Sequence, residues 1–343
     1  MNILRPFMSM VSPTSTILVT GGSGFMGSSF IRYLLSSTFF TGKVVNVDKL
    51  TYAGNKENLK LVENHPRYKF FQEDICNQGR IEEICQKENV NVIVHFAAET
   101  HVDNSIHDPK GFVQTNICGT FHLLEVIRKY PSIHFHQIST DEVFGDLPLE
   151  GKFKESSPYL PNSPYSASKA GADHLVRAYY KTYGLKVTIS HSCNNYGPYQ
   201  YPEKFIPVVI ERCLNNQPIP IYGDGSNIRE WIFVEDHAKA VWRILESGEL
   251  GNTYNIGSGC EFTNLEIVRH VVDVMANLLK VPSKKLSSLI QFVPDRKGHD
   301  FRYSLDSTKI KQLNWQAKTS FLEGLQTTAK WYLQKYLTLS LKA

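Results

Sequence analysis

Six short apolar runs, at residues 17–20, 43–47, 68–72, 92–95, 133–138 and 186–191, alternate with stretches of helical periodicity through the N-terminal half of the chain. Runs so short and so uniformly apolar read as strands covered on both faces. Strictly alternating strands and helices must return each strand parallel to the last, by crossovers of one hand, with helices on both sides of the sheet. The expected fold class is therefore α/β, a Rossmann-type doubly wound parallel sheet, with a smaller C-terminal α/β part for a second ligand. Ligands of such sheets bind beyond the carboxyl ends of the strands, so the residues just after each run are where function is to be sought.

The first run leads into Gly21-Gly22-Ser23-Gly24-Phe25-Met26-Gly27 and then a helical stretch, 28–36. Glycines at 21, 24 and 27 permit a tight turn, close approach of backbone to a pyrophosphate, and close packing of helix on strand. The second run ends at Asp48, roughly twenty residues on, where a carboxylate can accept from ribose hydroxyls and would repel the extra phosphate of NADP, so NAD is the expected dinucleotide. The third leads to Asp74-Ile75, a lid for the adenine, and the fourth to Ala97 and Ala98, small enough for backbone to pass close to a cofactor. A glycine-rich turn or a turn aspartate is commonplace by itself. Their order, each after a strand, is what points to a dinucleotide.

The fifth run opens Ser139-Thr140-Asp141-Glu142, followed at Tyr165-Ser166-Ala167-Ser168-Lys169 by a tyrosine four residues before a lysine on a helix. That spacing puts both on one face, where the ammonium is expected to lower the phenol's pKa and make it a general base for an alcohol. Two adjacent carboxyls at a strand end can act as acid and base if their surroundings separate their pKa values. The helix runs to Tyr183 and stops at Gly184. Residues 192–204, rich in Asn, Tyr, Gly and Pro, read as a long loop covering a ligand. Arg229 and Arg296 are candidate forks for a diphosphate.

Composition narrows the partners. The net charge of +4 comes without a basic or aromatic-basic face, which argues against nucleic acid and suits an anionic small ligand. The cysteines, at 76, 85, 118, 193, 213 and 260, show no C-x-x-C spacing, so neither zinc nor a disulfide framework is indicated and reduced thiols in the cytoplasm are expected. His95 and His101 lack companions at ligand spacing, so no metal is assigned. No run has the length of a membrane span. Residues 1–15, interrupted by Pro6 and Pro13, read as an extension rather than a signal peptide, with 16–192 as the NAD-binding part and 193–343 as the part for the second ligand, some of whose segments return to the first. From 108 to 130 an apolar stripe of Val113, Ile117, Phe121, Leu124 and Ile127 suits core or a dimer face.

Together these motifs, from about residue 17 to 332, resemble the extended short-chain dehydrogenase/reductases, and Thr140-Asp141-Glu142 is similar to the triplet of the nucleotide-sugar 4,6-dehydratases among them. The resemblance implies NAD-dependent dehydration of dTDP-glucose, tightly bound NAD and a homodimer through the 108–130 and 165–183 helices. It implies that Gly21, Gly24, Phe25, Met26, Gly27, Asp48, Lys49, Asp74, Ile75, Ala97, Ala98, Thr100, Thr115 and Asn195 hold NAD beside Tyr165 and Lys169. Thr100, His101, Thr140, Asn194, Glu203, Lys204, Pro220, Tyr222, Arg229, Asn264, Arg296, His299 and Tyr303 are implied for the nucleotide sugar, with Thr140, Asp141, Glu142, Tyr165 and Lys169 catalytic. UDP-glucose as substrate, a 4-epimerase, or a non-catalytic NAD-binding scaffold are the competing readings. Phe144 and Glu230 depart from the family's usual tyrosine and aspartate, and Phe144 is expected to remove a hydroxyl near the site.

Overall fold

Strands β1 (Ile17–Thr20), β2 (Val44–Asp48), β3 (Tyr68–Gln72), β4 (Val92–His95), β5 (His134–Thr140) and β6 (Val187–Ser192) form where the six apolar runs stand. The computed structural model describes residues 11–295 and 298–340; residues 1–10 of the expected extension and Arg296 lie outside the described residues. Beyond β6 come β7 (Asn194–Tyr196), β8 (Ile219–Tyr222), β9 (Ile228–Phe233), β10 (Thr253–Ile256), β11 (Glu261–Thr263) and β12 (Ile290–Val293).

The large sheet is seven-stranded and parallel, in the order β3-β2-β1-β4-β5-β6-β10. The chain winds outward from β1 to β3 and then back across to β4, so the strand order reverses between β1 and β4 and opens a crevice there. β10 comes from the C-terminal half and completes the sheet. On one face Ile17 and Val19 pack with Phe30, Ile31 and Leu34 of α1 (Phe25–Ser36), together with Trp242 and Leu245 of a later helix, Val234–Ser247. On the other, Leu18 and Ile93 pack with α2 (Gln78–Glu88), α3 (Thr120–Lys129) and α4 (Pro164–Tyr183). Successive residues of one strand thus serve opposite layers, as period-two geometry requires.

Helix α4 is fixed at both ends by its sequence. Ser163 and Ser166 form a capping box with Pro164 in the first turn, and Gly184, at φ 68°, ends it in the left-handed region. A separate core gathers Val209, Ile210, Val271, Met275 and Leu325 between helices Phe205–Asn215, Asn264–Leu279 and Phe321–Ser340 and two small sheets, β11-β9-β7 and β12-β8.

Two expectations change. Residues 192–204 are not loop throughout, because Asn194–Tyr196 pairs in parallel with Trp231–Phe233 of β9. The 108–130 stripe is not one continuous face either. Val113–Gly119 is a π turn between Lys110–Phe112 and Thr120–Lys129. Its wider winding rotates α3 relative to the turn before it, so Leu124 and Ile127 are buried in the core while Val113 and Phe121 stay exposed.

Candidate active site

A cleft of about 330 Å³ lies along the carboxyl ends of β1, β2, β4, β5 and β6. Every residue expected to hold NAD lines it, from Gly21, Gly24, Phe25, Met26 and Gly27 through Asp48, Lys49, Asp74, Ile75, Ala97, Ala98, Thr100 and Thr115 to Tyr165, Lys169 and Asn195. Gly21, at φ 66°, brings its Cα so near the next strand end that a Cβ would stand 2.6 Å from Ala97 N and Cα; only glycine fits. A Cβ on Gly27 would meet the Gly21 carbonyl oxygen at 2.4 Å. Gly24 caps α1 without a side chain, which leaves the first-turn amides to a ligand's phosphate oxygens.

Each Asp48 oxygen accepts one backbone N–H, from Ser23 and from Leu50, both at 2.8 Å. Lone pairs remain on both oxygens for ribose hydroxyls. Burial holds this carboxyl above its ordinary pKa. Lys49 and Asp74 pair at 2.6 Å at the far end of the cleft. Asn195 donates to the Ser192 hydroxyl and the Cys193 carbonyl, and its Oδ1 is buried with no hydrogen-bond partner in the protein, an acceptor available to a carboxamide. These features fit a dinucleotide.

The reactive groups sit where β5 ends. Thr140 caps a short turn, Asp141–Phe144, its Oγ1 accepting from Glu142 N at 3.3 Å and donating to Asp141 Oδ1 at 3.2 Å. Thr140 also acts on Tyr165, favouring the ionised phenol. Asp141 is 2% exposed and its Oδ2 has no hydrogen-bond partner. Burial first, then the charges of Glu142 and Glu230, push its pKa far above the usual carboxylate range, so Asp141 is a neutral acid with a proton to give. Glu142 lines the cleft and is half-buried. The two neighbouring carboxyls therefore stand in different surroundings, as an acid/base pair requires.

The phenol of Tyr165 corrects one expectation. Burial and then the Glu142 charge raise its pKa, whereas a lowering by Lys169 was expected. Lys169 Nζ donates to the Ile138 carbonyl at 2.7 Å, and burial lowers its own pKa. The desolvation that any buried ion suffers outweighs the spacing rule.

The expected sugar contacts divide. Thr100, Thr140, Asn194, Glu203 and Lys204 line the cleft, with Lys204 Nζ donating to the Thr100 carbonyl at 2.9 Å. His101 lies 3.9 Å from Glu203. Pro220, Tyr222, Arg229, Asn264, His299 and Tyr303 are not among the lining residues and gather instead around β8, β9 and the 298–303 segment. Pro220 and Tyr222 project outward from β8, and Tyr222 meets the ring of His299 at 6.3 Å. Asn264 opens its helix with its N–H on the Asn227 carbonyl. Arg229 is no open fork. It is 5% exposed, stacks on Tyr303 at 4.3 Å and donates to the Ile228, Asp300 and Phe301 carbonyls, because a buried guanidinium fills its donors from whatever carbonyls are near. Its charge still favours the ionised form of the neighbouring Asp141, whereas the Glu142 charge opposes ionisation of Tyr303.

Phe144 lies outside the cleft, packed with Phe153, Tyr159 and His191. Two features carry no sequence signal of their own. Tyr52 donates to Glu203 Oε1 at 3.2 Å and meets Tyr201 edge-on at 5.4 Å, joining the loop after β2 to the loop after β7. Asn116, in the π turn, is buried and bonds Glu99 N, Glu99 O and Ser168 Oγ, tying the β4 end to α4. A π turn leaves no periodic pattern, though Tyr52 does come closely after the legible Asp48.

Comparison with known proteins agrees with this geometry. The family model described as GDP-mannose 4,6 dehydratase matches residues 18–328. A dTDP-glucose 4,6-dehydratase of Haemophilus influenzae is 51% identical over 333 residues, covering 92% of this chain and 97% of that protein. The crystal structure of dTDP-glucose 4,6-dehydratase from Bacillus anthracis in complex with NAD superposes with a TM-score of 0.85 at 44% identity, over 94% of this chain and 98% of that one. That of the Streptomyces venezuelae dTDP-glucose 4,6-dehydratase with NAD bound gives 0.86 at 42% identity, over the same shares.

Proposed function

The chain belongs to the GDP-mannose 4,6 dehydratase family of NAD-dependent nucleotide-sugar enzymes, and on that premise we propose that it converts dTDP-glucose to dTDP-4-keto-6-deoxyglucose in deoxysugar biosynthesis. The observation that carries this reading is Asp141, a buried neutral acid with an unpartnered oxygen, in one cleft with Glu142, Thr140 and Tyr165. An epimerase needs the tyrosine and lysine but has no use for an acid that protonates a leaving hydroxyl.

NAD, when bound, supplies a reversible two-electron acceptor for C4 and the positive charge of its oxidised ring. The glycine turn, Asp48, the Lys49–Asp74 pair and Asn195 hold it. Tyr165 takes the proton of the C4 hydroxyl while Thr140 hydrogen-bonds the same oxygen. Because burial and Glu142 oppose ionisation of Tyr165, positive charge from Lys169 and the oxidised cofactor together must favour it. With a ketone at C4 the C5 hydrogen becomes acidic, and Glu142 removes it. Asp141 gives its proton to the C6 hydroxyl, which leaves as water, and Glu142 later returns a proton to C5. The two electrons taken from C4 would be returned at C6, so these residues could keep one bound NAD through repeated turnovers.

Residues 16–192 serve the cofactor, and most of 193–343 serves the nucleotide sugar. Val113, Phe121 and Tyr183 are exposed apolar side chains on the 108–130 and 165–183 helices, and they support a homodimer. All six cysteines are free thiols, in keeping with action in the cytoplasm. Among the described residues no helix is long and apolar enough to cross a membrane.

Glu142→Gln tests the reading. It should lower dehydration of dTDP-glucose by about a hundredfold or more, with UDP-glucose a poorer substrate of the unaltered protein. Interconversion of C4 epimers, undiminished by Glu142→Gln, would refute it.

A further inference from the structure

Helix α4 carries one more buried carboxyl, which the scheme above leaves unused. Asp173 stands four residues after Lys169, so the two share a face, and it is 2% exposed. Its Oδ2 accepts from the Ser139 hydroxyl at 2.5 Å and the Tyr159 hydroxyl at 3.3 Å, with His191 Nε2 at 3.4 Å. Its Oδ1 is buried with no hydrogen-bond partner. Tyr159 in turn bonds His191 Nε2 at 2.6 Å, and His191 Nδ1 meets Asn255 Oδ1 at 3.2 Å, so the cluster spans β5, β6, β10 and α4. A buried carboxyl with an unfilled acceptor destabilises a fold, and such groups persist where they serve function.

We propose that Asp173 is a positioning residue for proton transfer: it locks Ser139, and with it the end of β5 that bears Thr140, Asp141 and Glu142, onto the helix that bears Tyr165 and Lys169. The lock has two bolts. Lys169 holds the Ile138 carbonyl and Asp173 the adjacent Ser139 hydroxyl, so side chains one helical turn apart grip consecutive strand residues. Thr140, which lines the cleft with Tyr165, is the next residue along.

The carboxylate also acts on charge. Burial works to strip Lys169 of its proton, and Asp173 is the neighbour that opposes this. The other titratable groups around the pair are Tyr165 on the same helix, Tyr159, which bonds Asp173 and has Arg177 beside it, His95 on β4, Asp141 and Glu142 after β5, and His191 on β6. Of these only the carboxyls can bear negative charge near neutrality, and Asp141 is held neutral. Asp173 bears on Tyr165 too, raising its pKa, so loss of the charge moves both Lys169 and Tyr165 toward ionisation changes at lower pH.

This rests on the dehydratase reading, and the test separates the two. The unaltered protein, Asp173→Asn and Ser139→Ala are assayed for loss of water from dTDP-glucose from about pH 6 to about pH 11, which brackets the ordinary ionisation of tyrosine and lysine near 10. Asp173→Asn keeps the shape and removes the charge. We expect kcat to fall about tenfold with KM for the sugar within about twofold, and both limbs of the pH profile, the acid one set by Tyr165 and the alkaline one by Lys169, to move lower by on the order of one unit. Ser139→Ala keeps the charge and removes one bolt; kcat should fall several-fold, on the order of one lost hydrogen bond, with both limbs unmoved. An Asp173→Asn protein with unaltered limbs and kcat overturns the inference while leaving the dehydratase reading intact. If Asp173→Asn does not fold, full activity in Ser139→Ala overturns the positioning role by itself. An unaltered protein inactive toward dTDP-glucose overturns the dehydratase reading and this inference with it.

Discussion

Replacing Asp141 by asparagine should disable the protein while making its stability rise relative to the parent as pH rises. In the unfolded chain the carboxyl ionises near its ordinary value of 3.8, but in the fold burial and the charges of Glu142 and Glu230 keep it protonated far above that. Between those two values the native state binds more protons than the unfolded one, so stability falls as pH rises. Each pH unit in that window costs about 1.4 kcal/mol. With an unfolding entropy of about 2.1 cal/mol/K per residue over 343 residues, this is about 2 °C of melting temperature per unit. Asparagine does not titrate and escapes the loss. Its amide needs a partner that Asp141 Oδ2 lacks, which costs about 1–3 kcal/mol at every pH. The slope of the difference, rather than its size, is therefore the test. Calorimetric melting of both proteins saturated with NAD, from pH 5 to 8 (a span of about 4 kcal/mol at this slope), should show the asparagine variant gaining about 2 °C per unit on the parent until Asp141 ionises in the fold. Turnover should fall by about 10²–10⁴, the range for a lost general acid. Parallel melting curves would refute the claim that Asp141 is a neutral acid.

Gly21→Ala places a Cβ 2.6 Å from the backbone of Ala97 at a φ of 66°, a left-handed position that costs a side chain about 1–2 kcal/mol before the clash. Urea unfolding should show a loss of about 3 kcal/mol or more with less NAD retained on purification, and a loss under about 1 kcal/mol would contradict the close approach. Tyr52→Phe keeps the edge-on contact with Tyr201 but removes the bond to Glu203. For so exposed a pair we expect KM for dTDP-glucose to rise only about two- to fivefold at constant kcat; a change in kcat alone would place Tyr52 elsewhere in the cycle.

The six strands and the cofactor cleft were legible because both are local. An apolar run between turns names a strand, and a glycine, an aspartate or a pair of alanines just after it names what the strand presents. Tyr165 and Lys169 were legible for the same reason, by their spacing on one helix. What the chain hid depends on distant partners. Asn194–Tyr196 reads as loop until β9 pairs with it, and the π turn at 113–119 changes the phase of the helix without altering its composition. The direction of the Tyr165 shift turns on burial and on Glu142, neither visible in the spacing. Arg229 looked like a diphosphate fork, yet carbonyls from 300 and 301, far along the chain, take up its donors. Asp173 had the readable spacing from Lys169, but only the fold shows Ser139 and His191 against it.

The central claim is a dehydration that begins with oxidation at C4 and ends with reduction at C6 on the same bound cofactor. Purified protein, given no added NAD, is incubated with dTDP-glucose carrying deuterium at C4, and the product is analysed by mass and by NMR. Loss of one water with the deuterium now at C6 is the predicted result. Loss of water with the deuterium washed out to solvent, or a product of unchanged mass epimerised at C4, would contradict it.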